Sequence, residues 1–384
     1  FIGPGAELLD LFGDKVRARE VASQLSVPIL EGTLGPTTLE QATAFFKSLG
    51  LGAAVMVKAV SGGGGRGMRA VERIEDLAEV YERCRSEADR SFGSPDVYLE
   101  RLVRHARHIE VQIVGDGTGA VSHLWERECT LQRRHQKLVE IAPSPWISDA
   151  VRGRVLAAAI SMAKSTRFKS LGTFEFLVDL DRADEVVFIE ANPRLQVEHT
   201  VTEEVTGYDL VAIQLKLAGG ATLSDLGLEQ TSIAKPSGYA VQVRINMETM
   251  TANGERRPAG GRIDHLILPT GPGIRVDSFA YSGYRTTPSF DSLLAKLICR
   301  TPAHNINEAM RKTQRALGEL HVGGIPTNAA FLKRLLAREE VARGAATTRF
   351  IEENIGELFN ADDALVVATT LAVDSNETLI EVER

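Results

Sequence analysis

The chain has 384 residues, enough for two or three domains, and its 43% hydrophobic and 25% charged composition is that of an ordinary soluble globular protein. A net charge of −7 argues against broad nucleic-acid binding, though local basic pockets for anionic ligands remain compatible with it. No apolar run approaches the roughly 20 residues of a membrane span, so neither nucleic acid nor membrane is expected as a partner.

The opening Phe-Ile-Gly-Pro-Gly reads as the end of a strand and its turn, which makes the chain a segment of something longer. Asp14 can cap a helix running to about Leu25, stopped by Pro28. A second helix is expected over Thr38 to Leu49, then an apolar strand from Ala53 to Val60. Glycine-rich Ser61 to Gly67 follows, with a short strand at Met68 to Val71 and a helix from about Ile74 to Arg90. Asp96 to Leu102 and the alternating His108 to Val114 read as strands. Asp149 to Lys164 is an Ala-rich helix, Tyr239 to Ile245 a strand, Pro258 to Arg275 turn-rich β, and Asn305 to Leu320 a helix. The polar stretch Gly219 to Gly238 is the best candidate boundary. Strands and helices in this order point to α+β domains. Cys84, Cys129 and Cys299 have no paired or metal-type spacing, so inert thiols in a reducing compartment are expected, cytoplasmic or the mitochondrial matrix.

Thr173 to Asp179 and Val186 to Asn192 form two arms of a hairpin around a polar turn, with Glu175 and Glu190 nearly equidistant from its middle. Paired antiparallel, the two carboxylates face each other on one side of a sheet, a destabilising arrangement unless something positive lies between them. A hard divalent cation such as Mg²⁺ suits two carboxylates, and Asn192, two residues on, adds a third oxygen. Two unrelated glutamates on a solvated edge hairpin is the plainer alternative.

The four consecutive glycines after Lys58-Ala-Val-Ser would let backbone N–H groups close on a phosphate, with strand-borne Lys58 supplying charge. Gly62, Gly64 and Gly67 satisfy G-x-G-x-x-G, but a strand and not a helix follows, and no Walker lysine is present. A flexible hairpin tip is the competing reading. Arg133-Arg134-His135-Gln136-Lys137 concentrates donors and by default is a solvated basic loop. Arg194, Gln196 and Glu198 alternate at period two. One extended stretch would then aim a guanidinium, an amide and a carboxylate into one cleft, able to hold a planar anion and accept a proton.

Taken together, these segments resemble the biotin carboxylase component of biotin-dependent carboxylases, in the ATP-grasp superfamily. The likeness runs in order through Phe-Ile-Gly-Pro and Gly-Asp-Lys-Val at 1–16, Lys-Ala-Val-Ser-Gly-Gly-Gly-Gly-Arg-Gly-Met at 58–68, and Arg-His-Ile-Glu-Val-Gln at 107–112. It continues through Glu-Arg-Glu-Cys-Thr-Leu-Gln-Arg-Arg-His-Gln-Lys at 126–137, Gly-Thr-Phe-Glu-Phe at 172–176 and Glu-Ala-Asn-Pro-Arg-Leu-Gln-Val-Glu-His at 190–199. Arg244-Ile-Asn and Phe-Asp-Ser-Leu-Leu-Ala-Lys-Leu at 290–297 extend it to about residue 350.

The resemblance implies an ATP-grasp fold over 15–220, with a lid at about 30–102, followed by a biotin carboxylase C-terminal mixed α/β domain over 235–350. It makes 1–14 the end of a nucleotide-fold domain lying ahead of this sequence, and leaves 351–384 as a tail or linker. It implies that ATP is held by Lys15, Lys58, Gly64, Gly65, the hinge Glu100, Arg101, Leu102 and Val103, and by His108, Gln132, His135, Glu175 and Glu190. Glu175, Glu190 and Asn192 would bind Mg²⁺ or Mn²⁺. Lys137, Arg194, Gln196 and Val197 would hold bicarbonate, Glu198 would deprotonate it, and Arg244, with Asp291 as its acidic neighbour, would stabilise the biotin enolate. The implied reaction is ATP-dependent carboxylation of biotin through carboxyphosphate. No Ala-Met-Lys-Met attachment motif occurs, so biotin would arrive on a biotinyl carrier domain, with a carboxyltransferase as the further partner and a homo-oligomer as the assembly. Loop and tail wording lean toward a multidomain acyl-CoA carboxylase. The competing readings are another ATP-grasp carboxylate ligase and a catalytically silent ATP-binding module.

Overall fold

The computed structural model describes residues 1–61, 67–182, 184–251 and 253–360. Two helices open the chain, α1 (Ala6–Gly13) and α2 (Lys15–Gln24). The Asp14 carboxylate caps α2 by accepting from the N–H groups of Val16 and Arg17 at 2.8 and 3.2 Å. Helix α3 (Leu39–Ser48) begins with a reciprocal capping box between Thr38 and Gln41. Next come β1 (Val55–Ala59), β2 (Met68–Val71), α4 (Leu77–Phe92) and β3 (Val97–Arg101). Gly93, at φ +74°, gives α4 the left-handed cap that a side chain would disfavour. The three strands form a small antiparallel sheet in the order β2-β1-β3. It has its own core, in which Val55, Val57 and Leu99 pack against Phe46, Leu77 and Tyr81.

The rest is organised by one large sheet. Its strands are β4 (Ala106–Asp116), β5 (Val121–Arg133), β6 (Gln136–Ala142), β7 (Lys169–Asp179), β8 (Glu185–Asn192) and β9 (Tyr239–Asn246). Helices α5 (Asp149–Ser165), α6 (His199–Thr206) and α7 (Leu210–Ala218) lie between them in sequence. Two short hairpin strands, β10 (Glu248–Met250) and β11 (Arg256–Pro258), precede β12 (Leu266–Ile267), β13 (Ile274–Ser278) and β14 (Leu293–Thr301). Helix α8 (Ile306–Glu319), β15 (His321–Val322), which pairs with β12, and α9 (Ala329–Leu336) follow.

The large sheet is antiparallel, in the order β13-β14-β9-β6-β5-β4-β7-β8. The stretch 219–238 separates α7 from β9 in sequence, yet β9 returns to pair with β6, so the sheet runs through without a break. One face of its β4-β7-β8 end is apolar. Phe174, Phe176 and Phe188 pack with Phe12 of α1 and Phe168, beneath α2 and α5. The Phe12 and Phe174 rings meet edge to face, 5.4 Å apart. Beneath the β14-β9 end, α8 and α9 seal a second core. Among the described residues no helix is long and apolar enough to cross a membrane.

Candidate active site

The opposite face of the same strands is charged, and register explains how. Glu110 of β4 lies directly opposite Glu175 of β7, and Glu175 directly opposite Glu190 of β8, so three carboxylates stand abreast. The last pairing depends on a bulge. Phe176 faces Phe188 while Glu175 faces Glu190, so Ile189 is an extra residue. Without it Glu175 would oppose Ile189, and the facing carboxylates predicted from the sequence would not meet.

Cations lie between them. Lys137 Nζ, at the start of β6, reaches Glu110, Glu175 (3.3 Å) and Glu198 (2.7 Å). Lys15 Nζ is 3.3 Å from Glu190 Oε2, and His108 Nε2 is 2.6 Å from Glu175 Oε2. Gln196 donates to Glu175 at 2.9 Å. The amide of Asn192 sits between the two hairpin glutamates, 2.7 Å from Glu175 and 3.0 Å from Glu190. A half-turn of that amide exchanges nitrogen for oxygen, and the three side chains then present oxygen donors alone, the set that a hard divalent cation takes.

Beyond Lys137 the ion network continues. Glu198 Oε2 accepts from Arg244 Nη2 at 3.0 Å, and Arg244 Nε donates to the fully buried Glu140 at 2.6 Å. Gln242 donates to the other Glu140 oxygen at 2.9 Å and is itself bonded by Thr200. On the far side, fully buried Arg127 pairs with Glu110 and donates to Gln112, Thr202 and Thr173 at 2.8, 3.0 and 3.1 Å. Burial alone would push the Glu198 carboxyl up, but Lys137, Arg244 and Arg127 outweigh it and hold the group well below the usual carboxylate range. Glu175 behaves the same way, with Lys137 and His108 overcoming its burial. Lys137 is the mirror case: burial would lower it, and its three carboxylate neighbours raise it well above an ordinary lysine.

The predicted residues fall into place unevenly. Arg133 to Lys137 is only in part the solvated loop expected by default: Arg134 and His135 are exposed at its tip, while its two ends turn inward. It spans the turn between β5 and β6, with Arg134 and His135 at positive φ, Arg133 buried against Glu248 and Lys137 in the network. Arg194, Gln196 and Glu198 do not form an extended stretch. Pro193 ends β8, because it has no N–H for the ladder, and the chain bends at Arg194 before α6 begins just after Glu198, whose side chain makes no capping bond. Gln196 and Glu198 still reach the centre, while exposed Arg194 contacts Asn192 Oδ1 at 3.4 Å. The Val197 carbonyl accepts from Lys296 at 3.1 Å. Asp291 is exposed and accepts from the N–H of Leu293, while Arg244 is paired with Glu140 and Glu198. Gln132 bonds His108 Nδ1.

In the hinge, fully buried Glu100 pairs with Lys58, Arg101 pairs with Asp179 at 3.2 Å, and Leu102 donates to Ala54 at 2.8 Å beside buried Val103. Gly64 and Gly65 lie outside the described residues. His105 and His108 diverge, the former to Asp181, so they form no metal pair. The three cysteines are buried and unpaired, and burial pushes Cys84 and Cys299 up to about 11. Sequence reading missed Glu110, Arg127, Glu140 and Gln242. Glu110 had a signal, since it stands two residues past His108 on an alternating strand and shares its face.

A three-stranded sheet and a large antiparallel sheet converging on carboxylates and lysines define a protein of the ATP-grasp class. Residues 14–226 match the family model for the carbamoyl-phosphate synthase L chain, ATP binding domain, and residues 242–353 that for the biotin carboxylase C-terminal domain. The biotin carboxylase domain of Hydrogenobacter thermophilus 2-oxoglutarate carboxylase, solved with MgADP, ADP and bicarbonate, superposes with a TM-score of 0.87. It is 37% identical, covering 94% of this chain and 77% of that one. The chain belongs to the biotin carboxylase family of biotin-dependent carboxylases. Pyruvate carboxylase from Aspergillus terreus is 44% identical over 361 residues, 94% of this chain but 29% of that protein. A single-chain, multi-domain long-chain acyl-CoA carboxylase matches at TM-score 0.79 and 37% identity, over 93% of this chain and 33% of that one. The chain thus spans about a third of the length of the curated relatives it matches.

Proposed function

We propose that this chain carries out the first half-reaction of a biotin-dependent carboxylase, carboxylation of carrier-borne biotin with ATP and bicarbonate. The observation that carries the reading is the single ion network joining the Glu175–Glu190–Asn192 cluster to Glu198 and Arg244 through Lys137. Lys15, Lys58, His108, Gln132, His135 and the hinge 100–103 hold the nucleotide, with Gly64 and Gly65 closing on its phosphates. Glu175, Glu190 and Asn192 hold Mg²⁺ or Mn²⁺, which when bound neutralises and aligns phosphate oxygens.

Glu198 is a poor base while two cations share it, but Lys137 and Arg244 are the groups an entering bicarbonate would engage, together with Arg194, Gln196 and the Val197 backbone. Drawing them to the anion raises the Glu198 pKa as it is asked to take the proton. Bicarbonate oxygen then attacks the γ-phosphorus as the bond to ADP breaks, giving carboxyphosphate, which splits to CO₂ and phosphate. The phosphate takes the ureido proton and the nitrogen attacks CO₂, while Arg244, oriented by Glu140, balances the developing negative charge.

A biotinyl carrier domain and a carboxyltransferase complete the scheme, in a homo-oligomer. The acyl-CoA acceptor suggested by loop wording competes with the 2-oxo acids named for the pyruvate and 2-oxoglutarate carboxylases. This half-reaction ends at carboxybiotin and never touches the acceptor. The test is Mg²⁺-dependent ATP cleavage by the full-length protein with and without bicarbonate and biotin, alongside Glu190→Gln. Turnover that needs bicarbonate, rises with biotin and vanishes in the variant is expected. ATP binding without such turnover would sink the proposal and favour a silent nucleotide-binding module.

A further inference from the structure

Glu100 is fully buried on β3 and divides its two oxygens between two cations from different parts of the fold. Oε2 accepts from Lys58 of neighbouring β1, and Oε1 from Arg19 of α2. Tyr98 OH adds a weaker bond to Oε1 at 3.3 Å. The two cations differ in freedom. Arg19 is fixed by three partners: Glu100, the Leu30 carbonyl at 2.8 Å from Nη2, and the face of Tyr98, whose centroid lies 5.8 Å from its guanidinium carbon. Lys58 has a flexible four-carbon stem. One turn before Arg19, Lys15 reaches Glu190, so a single face of α2 grips one carboxylate from each sheet.

We propose that Arg19 is a positioning residue that keeps Glu100 paired when Lys58 is drawn to a nucleotide phosphate. The inference rests on the nucleotide site proposed above and adds to it what makes Lys58 available. A buried carboxylate with a single cation holds that cation tightly, because its departure strands an uncompensated charge. With Arg19 on the other oxygen, Lys58 can leave and Glu100 stays neutralised. The identity of the second cation therefore sets the nucleotide affinity without its touching the nucleotide.

The experiment measures MgATP affinity and bicarbonate-dependent turnover in the full-length protein. Arg19→Met is expected to raise Kd and KM for MgATP about tenfold or more, with kcat changed by less than about threefold. Adding Glu100→Gln removes the charge that needed a counter-ion, so the double variant should return to the affinity of Glu100→Gln alone. Arg19→Lys should stay near the unmutated protein. Unchanged affinity in Arg19→Met, or a loss that Glu100→Gln does not rescue, would overturn the proposal, the latter pointing to packing. If Arg19→Met does not fold, Arg19→Gln in the Glu100→Gln background serves instead: affinity equal to Glu100→Gln supports the inference, and a tenfold weaker one overturns it. Failure of the unmutated protein to bind MgATP would overturn the nucleotide reading itself, a result no variant imitates.

Discussion

Strands β4 and β7 bury both faces, and the two faces obey different rules. On one side Ile109, Val111, Phe174 and Phe176 contribute to an apolar core in proportion to the area they hide from water. On the other, Glu110, Gln112, Thr173 and Glu175 are just as buried but depend on partners brought from β5, β6 and the segment before α6. The apolar face tolerates trimming in graded steps. The charged face does not, because losing one partner leaves the others buried and unpaired.

The sharpest test is Lys137→Met, which removes an ammonium shared by Glu110, Glu175 and Glu198. It should abolish bicarbonate-dependent ATP cleavage and cost about 3–5 kcal/mol in urea unfolding; a fully stable variant would break the contrast. Glu198→Gln keeps the shape and removes the base, so turnover should drop about 10²–10⁴-fold while MgATP binding survives. Glu198 has a folded pKa held below its ordinary 4.5, so its stabilisation is present above that value and lost as pH falls below it. The stability gap between the unmutated protein and Glu198→Gln should thus hold steady at neutral pH and narrow below about pH 4.5. On the apolar face, Phe174→Ala should cost about 3–5 kcal/mol in the same unfolding assay yet leave the KM for bicarbonate unchanged. The smallest effect is expected from Ser148→Ala, which removes the side-chain cap on the Val151 N–H of α5 and should cost about 1 kcal/mol by thermal melting.

Much of this contrast was legible in the sequence. Asp14, the helix start at Thr38 and the alternation around Glu175 mark helix starts and strand faces, because caps and period-two patterns act within a few residues. The pairing of Glu175 with Glu190 was legible too, although the bulge at Ile189 that produces it was not. Local rules failed where side chains answer to distant strands. Pro193 turned an apparent extended stretch into a bend, and Arg133 and Lys137 became ion partners because Glu248 and Glu198 come from elsewhere in the chain. Arg127 and Glu140 were not singled out, since their ion partners Glu110 and Arg244 come from β4 and β9.

The pairing of β6 with β9 joins the segment matched by the ATP-binding model to the one matched by the biotin carboxylase C-terminal model. Cutting the gene between them would strip β6 of a neighbour and expose an unpaired strand edge. It would also part Glu140 from Arg244 and Gln242. Swapping one segment between relatives therefore exchanges half of a sheet, and the chimaeras expected to remain soluble are those that carry both segments from the same parent.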